Sequence, residues 1–368
     1  MSEISGSVQI VEGLTKLVVP LVHSAGGPGK RQGRVFYNEQ MAFNRDLTVM
    51  VFSALDFTGK EALDSMAGTG ARGVRVSNEV RGDFKFYVND KDGEAFHYIQ
   101  KNIDLNDLDD CLAMSSDMRC LLSEHAFDYI DVDPFGTPVP YVSAAIQGCK
   151  RKGILGITAT DTAPLAGTHS KKCVRRYGAR PVRCPFGHEL GLRILMGYMA
   201  RKAAELDKGI KPMLCFYADH YFRMYLRLPE GAGEADKSLG QLGYVQYDPE
   251  TGTRGYSLDH DPTGSYGPIW GGPLYDRAVL DSMEVSDGLA ERARCEKYLA
   301  LWREEMEVPY FYDNDELASL LHASPPPMSR LLEKIREVGR ASRTHFSPTG
   351  FKTDLTLAEL MGIVSEIV

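Results

Sequence analysis

Neither a membrane span nor a disulfide framework is written into this chain. No apolar run approaches the ~20 residues of a spanning helix. The opening Met1-Ser-Glu-Ile-Ser-Gly lacks the basic and apolar regions of a secretory signal, so a cytoplasmic protein without membrane contact is the expectation. The seven cysteines are odd in number and none forms Cys-x-x-Cys, which argues for reduced, mostly buried thiols over disulfides or a structural zinc. Gly26-Gly-Pro-Gly-Lys-Arg-Gln-Gly-Arg34 lacks the Gly-Lys-Ser/Thr ending of a P-loop and reads as a loop, not a nucleotide cradle. Internal repeats and low-complexity tracts are missing as well. An excess of positive charge is also lacking: the net charge is −8, which at first disfavours any partner whose phosphates must be neutralised. What remains is 368 residues of globular composition, 43% hydrophobic and 25% charged, enough for two domains with their own cores.

The most informative stretch present is Tyr129-Ile-Asp-Val-Asp133-Pro-Phe-Gly-Thr-Pro138. An apolar strand there delivers a carboxylate, a proline and an aromatic ring to one strand end. The lone pair of an exocyclic amine on adenine, guanine or cytosine is delocalised into the ring. Two acceptors, the Asp133 carboxylate and the Pro134 carbonyl, can aim the amine hydrogens so that the lone pair turns toward an electrophile, while Phe135 stacks on the base. The same four residues also suit a plain strand-ending turn.

Upstream, Ala62-Leu63-Asp64 enters the glycine-rich turn Gly68-Thr-Gly70-Ala-Arg72-Gly73, and Lys85 to Asn89 is a second strand ending at Asp90. Glycines let backbone approach a ligand, and an acid about 20 residues beyond such a turn takes ribose hydroxyls. This pairing serves both nicotinamide dehydrogenases and S-adenosylmethionine (SAM) methyltransferases. Asp117, before Met118, is placed either to accept from an adenine amino group or to cap a helix. Gly68, Asp90, Asp117 and Asp133 at predicted strand ends, with strands alternating with helices over about 92–106, after Pro140 and over 189–206, predict a parallel doubly wound α/β sheet whose strand ends converge.

Six segments occur in one order: Val35-Phe-Tyr-Asn-Glu-Gln-Met-Ala-Phe-Asn44-Arg45-Asp46, the Gly68 turn, Asp133-Pro-Phe-Gly, Arg176-Tyr-Gly-Ala, His188-Glu-Leu-Gly-Leu-Arg193 and Ser342-Arg-Thr-His345-Phe. Together they resemble the tRNA guanine-N2 dimethyltransferase family that modifies guanosine 26, in its compact archaeal-type form, over positions 10 to 355. The resemblance implies a class I SAM-dependent methyltransferase domain with a second, smaller α+β domain. It implies tRNA as partner, no obligate protein partner and no metal in the transfer. It assigns Arg45, Arg72, Asp90, Asp117 and the backbone at Met118 to the cofactor, and Asp133, Pro134 and Phe135 to the base. The paired cysteines found in the second domain of some members are absent here.

The charge objection turns on distribution. Between Lys150 and Lys202 twelve Lys or Arg stand against Asp161 and Glu189, a local balance of +10 that leaves −18 for the remainder. Lys171, Arg175 and Arg176 are the RNA-binding candidates of this segment, against the alternative of a solvated face. Arg343 and His345 are candidates for tRNA contact or for domain packing. The fall in helix signal before Lys211 puts the expected boundary near 210, dividing residues 1–209 from 210–368.

Two other classes compete. A nicotinamide dehydrogenase shares the glycine turn and Asp90 but leaves the Asp133 strand end without a task. A non-catalytic RNA-binding module predicts RNA binding indifferent to Asp133.

Overall fold

The computed structural model describes residues 4–23, 35–261 and 263–368, so the glycine-rich basic loop at 26–34 lies outside the described residues. An antiparallel hairpin, β1 (Ser7–Glu12) and β2 (Thr15–Pro20), precedes helix α1 (Ala42–Ser53). Strands and helices then alternate: β3 (Glu61–Asp64), α2 (Ala71–Glu79), β4 (Lys85–Asn89), α3 (Gly93–Leu105), β5 (Cys111–Met114), α4 (Met118–Glu124), β6 (Phe127–Val132), α5 (Val139–Gly148) and β7 (Cys149–Ala159). All five strands are parallel, in the spatial order β5-β4-β3-β6-β7. Strand order reverses between β3 and β6, and in such sheets ligands bind at the strand C-termini beside the reversal.

Three helices follow, α6 (Thr162–Leu165), α7 (Ser170–Tyr177) and α8 (Gly187–Ala204), and then a hairpin of β8 (Lys211–Ala218) and β9 (Tyr221–Arg227). The hairpin joins the free edge of β7 in antiparallel sense, completing a seven-stranded sheet β5-β4-β3-β6-β7-β9-β8. The sheet that begins in the first domain thus continues one hairpin beyond the expected boundary near 210. Phe222, Met224 and Leu226 on one face of β9, and Tyr221 and Tyr225 on the other, are all buried, because this sheet is covered on both sides. We propose the division after Arg227.

The remainder is α+β. Helix α9 (Ala232–Leu239) leads to a small antiparallel sheet of β10 (Leu242–Tyr247), β11 (Arg254–Ser257) and β12 (Ser265–Trp270), and β12 packs on α8. Helices α10 (Arg277–Ser282) and α11 (Arg292–Glu304) return to the first domain. A terminal unit of β13 (Tyr312–Asp313), α12 (Asn314–Leu320), α13 (Met328–Val338), β14 (Ala341–Arg343), β15 (Gly350–Thr353) and α14 (Leu357–Ile367) has a core of its own, centred on Leu317, Leu331, Ile335 and Phe351.

Helix α1 departs from a simple amphipathic reading. Asn44, Arg45 and Asp46, polar positions in its sequence pattern, are buried because α1 is enclosed by α2 on one side and α11 on the other. Asp46 accepts from Arg75 Nη2 at 2.6 Å and from the backbone N–H of Glu291 at 2.6 Å, so the buried carboxylate is paired and ties the two domains together. Five of the cysteines are buried, Cys184 is half-buried and Cys120 exposed, and all seven are free thiols.

Candidate active site

A cavity of about 510 Å³ opens at the C-terminal ends of β3, β4, β5 and β6 and is walled on its remaining side by Phe36, Tyr37 and Asn38. It lies within the size range of small-molecule sites. Arg45, Arg72, Asp90, Asp117, Met118, Asp133, Pro134 and Phe135 all line it, so one site gathers every residue expected for cofactor and base.

The glycine turn after β3 is shaped for close approach. Gly68 has φ +57°, and a Cβ there would meet the Phe36 carbonyl oxygen at 2.7 Å; Gly70, at φ +79°, is the left-handed residue that starts α2. Asp90 accepts from the Gly68 N–H at 2.9 Å and from the Asp92 N–H at 3.0 Å, which fixes its carboxylate at the cavity floor. Asp117 is the N-cap of α4, accepting from the Arg119 N–H at 2.9 Å, and it also lines the cavity, so capping does not take it out of the site. Hydrogen bonds from Arg119 push its carboxyl down to about 2. Met118 is the first residue of α4, where backbone N–H groups lack helical partners.

The arginines are engaged differently from expectation. Arg45 forks onto Glu12, with Nε–Oε1 at 2.6 Å and Nη2–Oε2 at 2.5 Å, and its guanidinium lies 5.0 Å from the Tyr37 ring centroid. Arg72 donates to Asp133 Oδ2 at 2.5 Å, to Asn44 Oδ1 at 2.9 Å and to Thr48 Oγ1 at 2.7 Å. Its fork is thus spent on holding Asp133 and α1. Behind it Asp131, fully buried, accepts from Arg223 Nη1 at 3.0 Å and Nη2 at 2.5 Å, with Arg72 Nε 3.4 Å away. Burial opposes ionisation of Asp131, but Arg223 and Arg72 hold it below the usual carboxylate range. Asp64, its register partner on β3, has no such pairing among the described residues, and burial followed by the Asp131 charge pushes its carboxyl up. Glu12, Asp131 and Arg223 escaped the sequence reading because each lies far in sequence from the residue it serves; an acid inside an otherwise apolar strand, Tyr-Ile-Asp131-Val, was the one available sign.

Glu12 makes a pH-dependent contribution whose sign is fixed. Burial raises its pKa, but Arg45 and Arg75 outweigh that and bring it from 4.5 to about 2. A carboxyl that titrates lower when folded stabilises the protein fully above pH 4.5 and loses that contribution as the pH falls toward 2. The Glu12→Gln variant is expected to be less stable than the parent by about 3 kcal/mol at neutral pH, with the gap narrowing below pH 4.5. Denaturant midpoints of both proteins between pH 3 and 7 test this, and a gap that is constant with pH would contradict it.

At the end of β6, Asp133 is half-buried and Pro134 buried, whereas Phe135 is 54% exposed. An exposed phenylalanine at a cavity mouth has a free face, and Phe36 packs edge-on against it with ring centroids 4.7 Å apart. Phe36 therefore forms a second aromatic wall that sequence reasoning passed over inside a longer motif. Gly136, at φ +79°, closes the turn: its N–H donates to Thr160 Oγ1 at 2.8 Å and its carbonyl accepts from the Thr160 N–H at 2.9 Å.

The RNA-binding candidates separate. Lys171 and Arg175 are exposed on α7, while Arg176 donates to Asp161 at 2.8 Å and is partly exposed. Arg343 is half-buried and donates to the Pro348 carbonyl. Of the two roles left open for His345 the geometry favours domain packing: its side chain is fully buried, with Nδ1 2.7 Å from Glu305 and Nε2 accepting from the Tyr217 N–H at 3.3 Å. Glu305 also pairs with Lys352 at 3.0 Å, and Lys352 with Glu189 at 2.8 Å, a buried ion cluster that explains both the His188–Arg193 and Ser342–Phe346 motifs as domain glue.

A family model described as N2,N2-dimethylguanosine tRNA methyltransferase matches residues 21–365. The tRNA (guanine(26)-N(2))-dimethyltransferase of Pyrococcus abyssi is 38% identical, with 97% of this chain and 98% of the relative covered. The protein of the same name from Methanoregula boonei is 39% identical, with 96% of each covered. The structure of Trm1 from Pyrococcus horikoshii in complex with S-adenosyl-L-methionine is similar at a TM-score of 0.88 and 33% identity, covering 97% of this chain and 99% of that one.

Proposed function

The chain belongs to the N2,N2-dimethylguanosine tRNA methyltransferase family, and from that premise we propose how its cavity works. The protein is a SAM-dependent tRNA methyltransferase that dimethylates N2 of guanosine 26. The observation that carries the site reading is the convergence on one cavity of a backbone cradle, a ribose-type acid and an acceptor pair beside an exposed ring. We place the enzyme with its tRNA substrate in the cytoplasm.

The residues present fit the cofactor: a glycine turn at Gly68 and Gly70 along the cavity wall, a carboxylate at Asp90 and the Met118 N–H at the start of α4, which has no helical partner. When bound, SAM supplies an electrophilic methyl group. Asp90 takes the ribose hydroxyls, and Asp117 with the Met118 backbone takes the adenine edge. Arg45 and Arg72 act indirectly, Arg45 by fixing the wall at Tyr37 and Arg72 by fixing Asp133. The target base leaves its stack to enter the site. Phe135 stacks on it, and Asp133 with the Pro134 carbonyl accepts from its amine, which turns the nitrogen lone pair outward.

Incubating the protein with tRNA and methyl-labelled SAM, then analysing nucleosides by mass spectrometry, tests the assignment. Label is expected in monomethyl- and then dimethylguanosine at position 26, and label elsewhere or nowhere would sink it. A nicotinamide titration that saturates would instead favour the dehydrogenase reading.

Removing Asp90 deletes charged hydrogen bonds worth about 1.5–3 kcal/mol each. Asp90→Ala is expected to weaken SAM about tenfold or more, with tRNA affinity little changed. Calorimetry showing unaltered SAM binding by a folded variant removes Asp90 from the site.

A further inference from the structure

The Arg176-Tyr-Gly-Ala motif has no part in the chemistry so far, yet the fold places it against the base-holding turn. Tyr177 is fully buried at the end of α7, and its hydroxyl donates to Asp161 Oδ1 at 2.7 Å. A phenol has one proton, so the 2.7 Å contact between that hydroxyl and Thr137 Oγ1 has Thr137 as donor. Asp161 Oδ2 accepts from Arg176 Nη1 at 2.8 Å, and the Asp161 N–H donates to the Gly136 carbonyl at 3.2 Å. Gly178, at φ +60°, ends α7, and Arg201 clamps the Tyr177 carbonyl at 2.5 Å. The chain Thr137–Tyr177–Asp161 thus grips the two residues that follow Phe135, from outside the cavity.

We propose that Tyr177 and Asp161 are positioning residues that hold the Asp133-Pro-Phe-Gly turn in shape, and that the second methyl transfer depends on them more than the first. The asymmetry follows from the substrate. An unmodified N2 amine has two hydrogens for two acceptors, Asp133 and the Pro134 carbonyl. After one transfer a single hydrogen remains and a methyl group sits beside Phe135, so orientation relies more on the rigidity of the turn and less on the amine's own hydrogen bonds. Each transfer forms one N–C bond, breaks one S–C bond of SAM and releases one amine proton.

Tyr177→Phe removes the hydroxyl and keeps the ring. With both hydrogen bonds of that hydroxyl lost, to Asp161 and from Thr137, the second transfer is expected to slow about two- to tenfold and the first by less. In single-turnover assays at saturating tRNA and SAM, the ratio of monomethyl- to dimethylguanosine should rise, with affinities for both ligands unchanged. Thr137→Val, which removes the Thr137–Tyr177 bond and a 3.4 Å contact from the Val139 N–H but leaves Tyr177 on Asp161, should shift the ratio in the same direction. Wild-type rates and product ratio in both variants would overturn the proposal. It rests on the reading of Asp133 to Phe135 as the base holder, and Asp133→Ala distinguishes the two: a fully active Asp133→Ala sinks that reading, whereas unshifted ratios in Tyr177→Phe and Thr137→Val alone sink only this one.

Discussion

Asp133→Ala is expected to lower single-turnover methylation of guanosine 26 by about 10²–10³, the usual loss on deleting one preorganised electrostatic partner. The carboxylate matters most as the amine nitrogen takes on positive charge, so the loss belongs to turnover and SAM affinity stays near wild type. The structure strengthens the case for preorganisation: Arg72 holds Asp133 Oδ2 at 2.5 Å and is itself backed by Asp131 and Arg223, so the acceptor is aimed before substrate arrives. Asp133→Asn is a second arm, because the amide keeps one acceptor oxygen but cannot neutralise Arg72; it should fall between alanine and wild type. Phe135→Ala should behave differently, losing about 1–3 kcal/mol of base stacking with part of the deficit in apparent tRNA affinity. Near wild-type single-turnover rates in Asp133→Ala would end the amine-orienting mechanism while leaving the family assignment intact.

What could be read from the chain in advance follows the range of each interaction. The strands ending at Asp64, Asp90 and Asp133 were legible because apolar runs and the glycines after Met66 are local signals, and a parallel sheet converts strand ends into neighbours. Helix α3 was legible to within a residue, since Asp92 caps it through the Glu94 N–H at 2.9 Å and Asn106 ends it. The partners of Arg45 and Arg72 were not. A guanidinium reads alike in sequence whether it faces a cofactor or a protein carboxylate, and Glu12 and Asp133 lie 33 and 61 residues away. His345 shows the same limit, because its burial depends on Glu305 and Tyr275 arriving from other elements. The position of the β8–β9 hairpin was illegible for a related cause: it begins a β-rich stretch, and sequence alone does not tell an added hairpin on an old sheet from the first strands of a new one.

The other large effect concerns RNA. On α7, Lys171, Lys172 and Arg175 carry positive charge at or near the surface, while Arg176 is drawn inward by Asp161. The helix ends beside Thr137, so RNA bound along it reaches the cavity where the base must enter. If each of the three cations neutralises one phosphate, replacing all three with alanine should reduce the slope of log affinity against log salt by about two to three units. Raising salt from about 50 to 200 mM would then weaken the parent about 30-fold more than the triple variant. Turnover at saturating tRNA should hold, because none of the three side chains lines the cavity. Filter binding over that salt range decides the matter: an unchanged slope would make this face of α7 merely solvated, and the +10 charge of the 150–202 segment would then have to meet RNA elsewhere.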